Sequence, residues 1–341
     1  SIEAKKTDIN ATVGIALDQN KDPMHLNSIQ EKIKLSPKQI FSYSSSYGNQ
    51  ELRELWKEHM RQKNPSLKNS SLPMPTSGLT HALSIASHLF VEKEDSIIIP
   101  DLYWENYDLL FEQANMKKFN MFNGKILDLD SFENTIKETN GRKTVLLNFP
   151  NNPSGYSPSK EEADKMTIIL EKEAQKNPIT VILDDAYFGL QYEDSYKESL
   201  FGKLSEIENL LAIKVDGATK EEFAWGLRVG FITYGSKAIS EEAYGALEDK
   251  TAGAIRKTIS NVSNLSQSLI LESLKEKSHE EEKKKKYNNL KKRYEKTKKI
   301  LEQEKYRDQF TPLPFNSGYF MCVKLTQLTD AEEVRKKLLT E

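Results

Sequence analysis

The chain predicts an α/β fold: a mostly parallel sheet covered by helices on both faces. Two observations carry this. Short β-rich apolar runs, SIIIP (96–100), KFNMF (118–122), TVLLNF (144–149) and ITVILD (179–184), recur at intervals. Between them WENYDLLFEQA (104–114), DSFENTIKE (130–138) and KEEADKMTIILEKEAQ (160–175) repeat their apolar residues near a 3.6-residue period. Strand and helix patterns that alternate in this way build a layered sheet whose functional loops leave at one edge.

Composition bounds the function. With 341 residues, 37% of them hydrophobic, the chain can bury one large core or two unequal ones. Its 49 basic and 51 acidic side chains leave a net charge of -2. No global field then favours nucleic acid or an anionic membrane, so neither is expected as a partner. Cys322 is the single cysteine and reads as buried within YFMCVKL; no intrachain disulfide can form, which suits a reducing cytoplasm. No apolar run is long enough to span a bilayer, and SIEAKKTDIN lacks the apolar centre of a signal peptide. The five histidines are scattered, and no structural metal is expected.

Taken in order, residues 1–45 read as an arm that packs elsewhere, with short apolar pieces in ATVGIAL and LNSIQEKIKL. YSSSYGNQELRELWKEHM passes from a turn into a helix carrying Leu52, Leu55 and Trp56 on one face. In PTSGLTHALSIASHLF a loop with Ser77 and Gly78 opens onto an apolar helix, whose free N–H groups suit an anion. Three later loops are chemically distinctive: DLYWENY with Tyr103, Trp104 and Tyr107; PNNPSGYSPS; and Asp184-Asp185-Ala186-Tyr187. Next, LLAIKV feeds a small-residue turn that presents Lys220, and Arg228 stands eight residues further on, before VGFITY. A lysine at the end of a buried strand is placed to lose its proton and attack a carbonyl, and arginine offers a planar fork to phosphate. Beyond Gly235 the chain reads as helical through residue 274. A solvated amphipathic helix follows, with Tyr287, Leu290, Tyr294 and Leu301 in its apolar stripe, and then FNSGYFMCVKL as a strand and TDAEEVRKKLLTE as a helix.

Together these loops resemble the class I and II aminotransferase family of pyridoxal 5'-phosphate enzymes, fold type I. Lys220 followed by Arg228, Asn152-Pro153-Ser154-Gly155 and Asp184 to Tyr187 match its motifs in order and context. The resemblance implies a three-layer αβα large domain over 46–279 and a smaller α+β domain from 1–45 with 280–341. It also implies an aminotransferase that moves an amino group between an L-amino acid and a 2-oxo acid. Lys220 would hold the cofactor as an internal aldimine and then move the substrate's α proton. Asp184 would pair with the pyridine nitrogen, and Asn152 and Tyr187 would bond the ring's phenolic oxygen. Lys220, Asp184 and Tyr187 are thus the expected catalytic residues. Gly78, Leu79, Thr80 and Arg228 would hold the phosphate, Trp104 would stack on the ring, and Tyr43 would reach the phosphate of a neighbouring subunit in a homodimer with shared active sites. Arg256 resembles an arginine that binds a substrate's distal carboxylate, and Gly14 lies in a segment resembling the substrate entrance.

Two departures stand out. Gly217 occupies the place of a phosphate-binding serine, which leaves a donor missing unless Thr219 or a water replaces it. The family's arginine for the substrate α-carboxylate falls beyond residue 341, and we expect the small domain to continue past this sequence. A carbon-sulfur β-lyase or decarboxylase of the same fold uses the same residues, because which bond breaks depends on its placement against the ring. A cofactor-binding effector domain of a regulator is a third reading, without a basic helix-turn-helix pattern in residues 1–42.

Overall fold

A computed structural model describes residues 7, 14–326 and 330–340. Its centre is a sheet of seven strands: β1 (Met74–Ser77), β2 (Ser96–Pro100), β3 (Asn115–Phe119), β4 (Lys143–Asn148), β5 (Ile179–Asp184), β6 (Leu210–Gly217) and β7 (Val229–Gly235). The spatial order is β1-β7-β6-β5-β4-β2-β3. Strands β2 to β6 are parallel, and β7 runs antiparallel to both β6 and β1. Every residue of β2 and β4 is buried, as expected for strands covered on two faces. Alternate side chains enter two apolar clusters: Leu146, Ile182 and Ile213 on one face, and Val145, Leu147, Val181, Leu183 and Ala212 on the other.

Helices form the outer layers. α1 (Gln50–Lys63) starts where the Asn49 side chain accepts a bond from Leu52 N, and it buries Leu52, Trp56 and Met60. α2 (Gly78–Phe90) packs Leu79, Ala82, Leu83 and Ala86 against the sheet. α3 (Leu129–Glu138) and α4 (Lys160–Ala174) cover the opposite face, α4 opening with a capping box between Ser159 and Glu162. α5 (Glu241–Ile259), α6 (Asn264–Leu274) and α7 (His279–Leu301) follow the sheet. Leu290 of α7 is buried, with Tyr287 and Tyr294 packed beside it.

Several sequence expectations need correction. Met74–Ser77, read as loop, is β1; it lies at the sheet edge, where Pro75 is tolerated. The strand read as KFNMF is Asn115–Phe119, because register with Ser96–Pro100 selects the residues that pair with the buried neighbour. The helix after β2 is confined to Asn106–Leu110. The helical stretch after Gly235 divides at Ser260, which has φ 68°. In FNSGYFMCVKL only Val323–Leu325 is strand, paired with Phe310–Pro312. Residues 316–320 instead close over the NPSG turn, and Cys322 is half-exposed rather than buried.

Candidate active site

Parallel strands deliver their last residues to a common edge, and β4, β5 and β6 are in register there: Asn148 pairs with Asp184, and Asp184 with Val215. Because β7 runs the other way, its first residues arrive at the same edge, and the β6–β7 connection carries both Lys220 and Arg228. The result is a cavity of about 440 Å³ lined by Gly14, Ile15, Leu79, Thr80, Trp104, Asn148, Asn152, Asp184, Ala186, Tyr187, Thr219, Lys220, Trp225, Arg228 and Phe320. Nine of the twelve residues named from the sequence line this cavity.

Gly78, a tenth, borders it: its φ is +78°, and a Cβ there would lie 2.4 Å from Arg228 Nη2. Glycine permits both the left-handed turn and the approach of the guanidinium. Tyr43 and Arg256 lie outside the cavity within a single subunit, and Tyr43 is 92% exposed.

Asp184 is buried at the end of β5. Its Oδ2 accepts a 2.6 Å hydrogen bond from Tyr107 Oη, and Oδ1 accepts from Ala186 N at 3.1 Å. Burial raises its pKa, against the opposing pull of Tyr107 and then Lys220. Burial and the Asp184 carboxylate push the Tyr107 phenol well up, which keeps it a proton donor. Lys220 Nζ stands 5.2 Å from the Tyr187 ring centre. Its pKa is lowered, chiefly by burial; Asp184 raises it and Arg228 lowers it further. An ammonium so placed loses its proton more readily than one in water.

The Asn152 turn is held from below: Asn152 N donates to Asn148 Oδ1 at 2.7 Å, and Asn148 Nδ2 donates to the Asp184 carbonyl at 2.6 Å. Gly155 of that turn, at φ +75°, has the Phe320 carbonyl where a Cβ would point, 2.0 Å away. Glycine therefore lets residues 316–320 pack down, and Asn316 N and Ser317 N both donate to Gly155 O at 2.9 Å. That packing sets the Tyr319 and Phe320 rings edge-on to Tyr187, at 5.4 and 5.7 Å.

The Gly217 departure has a steric cause. A Cβ at 217 would come within 2.6 Å of Gly230 Cα and 2.7 Å of Val229 O, so a serine cannot fit. Thr219 Oγ1 lines the cavity, is buried and has no hydrogen-bond partner among the described residues. An orphaned hydroxyl of this kind calls for a ligand or water.

The role of Tyr107 escaped the sequence reading, although the residue lies in the quoted WENY. Aromatics after a strand read equally well as core cover, and only the fold brings Tyr107 to an acid 77 residues away.

A family model, aminotransferase class I and II, matches residues 7–341. The chain belongs to that family. Among its relatives, the aspartate aminotransferase of Sulfurisphaera tokodaii is 28% identical over 222 residues, covering 63% of this chain and 53% of that protein. The aspartate aminotransferase of Bacillus subtilis is 26% identical over 195 residues, 55% of this chain and 47% of the other. The matches thus span about half the length of these relatives. Of solved structures, an aminotransferase from Anaerococcus prevotii superposes with a TM-score of 0.85 at 24% identity, over 99% of this chain and 86% of the other. A kynurenine aminotransferase from Pyrococcus horikoshii gives 0.82 at 16% identity, over 99% and 81%. These structures share the fold, a three-layer αβα arrangement on a mostly parallel sheet.

The family's cofactor is pyridoxal 5'-phosphate, and the cavity fits it chemically. Asp184 is a buried carboxylate with no ion pair among the described residues. The start of α2, the unpaired Thr219 hydroxyl and the exposed Arg228 guanidinium provide an anion site, while Trp104 provides a ring face.

Proposed function

We propose that the chain is a pyridoxal 5'-phosphate-dependent aminotransferase that moves an amino group between an L-amino acid and a 2-oxo acid. The observation that carries this reading is the convergence of Lys220, Asp184, Asn152 and Arg228 on one cavity. When bound, the cofactor supplies a conjugated cationic ring that draws electron density from the substrate's α carbon. Lys220 is the nucleophile toward its aldehyde and afterwards the base that takes and returns the α proton at Nζ, tasks favoured by its lowered pKa. Asp184 would hold a proton on the ring nitrogen, and Tyr107 favours the ionised carboxylate by donating to it. Asn152 and Tyr187 would donate to the ring's phenolic oxygen. The backbone of Gly78 and Leu79, with Thr80, Thr219 and Arg228, would hold the phosphate, and Trp104 would cover the ring.

The aspartate aminotransferases among the relatives bring aspartate forward as a donor, and Arg256, by its resemblance to the family's arginine, is the group proposed for its distal carboxylate. Arg228 and Thr80 line the cavity yet are exposed in the single chain, which supports a homodimer in which the partner's Tyr43 completes the phosphate site. The large domain is assigned to 46–279, and the smaller one to 1–45 with 280–341. No helix among the described residues is long and apolar enough to cross a membrane, and a cytoplasmic setting fits the single thiol.

The test is a screen of amino donors and 2-oxo acid acceptors. Aspartate is expected to release its 2-oxo acid only while the cofactor or a second 2-oxo acid can take up the amine. Release of pyruvate, ammonia and a thiol from a cysteine S-conjugate without an acceptor would replace this reading with a β-lyase.

A further inference from the structure

Lys220 is followed by two glutamates, and neither lines the cavity. Glu222 is fully buried and Glu221 nearly so. Both enter an ionic cluster built by three elements. Glu222 Oε1 accepts from Lys283 Nζ of α7 at 2.6 Å; its Oε2 lies 2.9 Å from His279 Nε2 of the same helix, an ion-pair approach in which neither atom makes a hydrogen bond among the described residues. Glu221 Oε1 pairs with Lys63 of α1 and lies 3.1 Å from His59 Nε2 and 3.4 Å from Lys283 Nζ. His279 Nδ1 is anchored in turn by Ser273 Oγ at 3.0 Å. Its Nε2 approach to a carboxylate oxygen is attractive only when that nitrogen carries a proton.

The donor atoms of His59, Glu221 and Glu222 lie within 4.8 Å of one another, a spacing that could hold a metal. The Lys63 and Lys283 amines already sit on those carboxylates, however, and occupy oxygens that a metal ion would need.

The helical turn bearing Lys220 is only Ala218–Glu221, too short to hold its own shape in water. Buried ion pairs add little net stability compared with well-packed apolar residues, but their directional bonds fix geometry and depend on each partner. We propose that Glu222, held by Lys283 and faced by His279, is a positioning residue that sets where Lys220 Nζ stands, so that placement of the nucleophile depends on α7. This rests on the aminotransferase reading for the task of Lys220; the mechanical link between the turn and α7 does not.

The test compares wild type with the charge-balanced double variant Glu222→Gln/Lys283→Met and with the milder His279→Gln. Amide hydrogen exchange is followed in the cofactor-free proteins, and kcat and KM in the loaded ones. Exchange across residues 218–224 is expected to rise at least tenfold in the double variant and less in His279→Gln, while β5 and β6 keep wild-type protection. The value of kcat is expected to fall at least tenfold with KM within threefold. Wild-type exchange across 218–224 in folded His279→Gln, or wild-type kcat in a folded double variant, would overturn the proposal. Wild-type protein without transaminase activity would remove the function reading, and exchange in the cofactor-free proteins would still decide the link to α7.

Discussion

Two residues of opposite sign set the chemistry of the cavity, and burial works against the charge of each. It raises the pKa of Asp184 and lowers that of Lys220. Tyr107 offsets part of the first shift, because a hydrogen bond to a carboxylate favours the ionised form. Tyr107→Phe is expected to raise the Asp184 pKa further, because it removes a hydrogen bond that favours the carboxylate. A carboxylate that must be ionised then becomes so at higher pH, and the acid limb of the kcat profile should move upward. An unmoved limb would deny Tyr107 this task. Lys220→Ala is expected to lose the visible absorbance of lysine-bound cofactor and to lower turnover by roughly a thousandfold or more, since it removes both nucleophile and base. In the cofactor-free protein, Arg228→Gln removes a neighbouring cation, so the Lys220 pKa should rise, as measured by the pH dependence of its acylation rate.

At the scale of elements, three glycines let three backbones meet. A Cβ at Gly217 would strike Gly230, and one at Gly230 would lie 2.6 Å from the Gly78 carbonyl carbon. This contact brings the start of α2 against β7 and β6, and so brings the anion site beside the lysine turn. Gly217→Ser restores the residue type that the resemblance leads one to expect. It is nonetheless predicted to destabilise the protein by about 2 kcal/mol or more through overpacking against backbone, read as a lower denaturation midpoint. Unchanged stability would show that the backbones can separate. The strand–helix alternation was legible because buried parallel strands read as apolar runs. Strand β1 was not, because a four-residue edge strand containing proline carries no such run. The segment 315–322 misled for the opposite reason: its apolar residues pack on Gly155 and Tyr187 rather than in a sheet.

For the whole molecule, Tyr43, Thr80 and Arg228 are exposed in the single subunit, and the proposed homodimer would bring the first to the neighbour's phosphate site. Sedimentation is expected to give a dimer, and Tyr43→Phe should weaken cofactor affinity about tenfold, the loss of one charge-assisted bond. A dimer with unaltered affinity would remove Tyr43 from the phosphate. Arg256→Gln should raise KM for aspartate while sparing monocarboxylate donors, and an equal effect on both would make its role structural.

The residue types of the site, their order and the sheet they hang from could be read from the chain alone, because alternating hydrophobic periods and loop chemistry are local properties. Their meeting could not. It took parallel register to align Asn148, Asp184 and Val215, and a reversed β7 to return Arg228 to the edge that Lys220 occupies. The Tyr107 bond to Asp184, the crowding that forbids a side chain at 217 and the ionic clamp behind Lys220 all join residues far apart in sequence. Such contacts exist only after the chain has closed on itself, since each depends on a distance that local pattern does not contain.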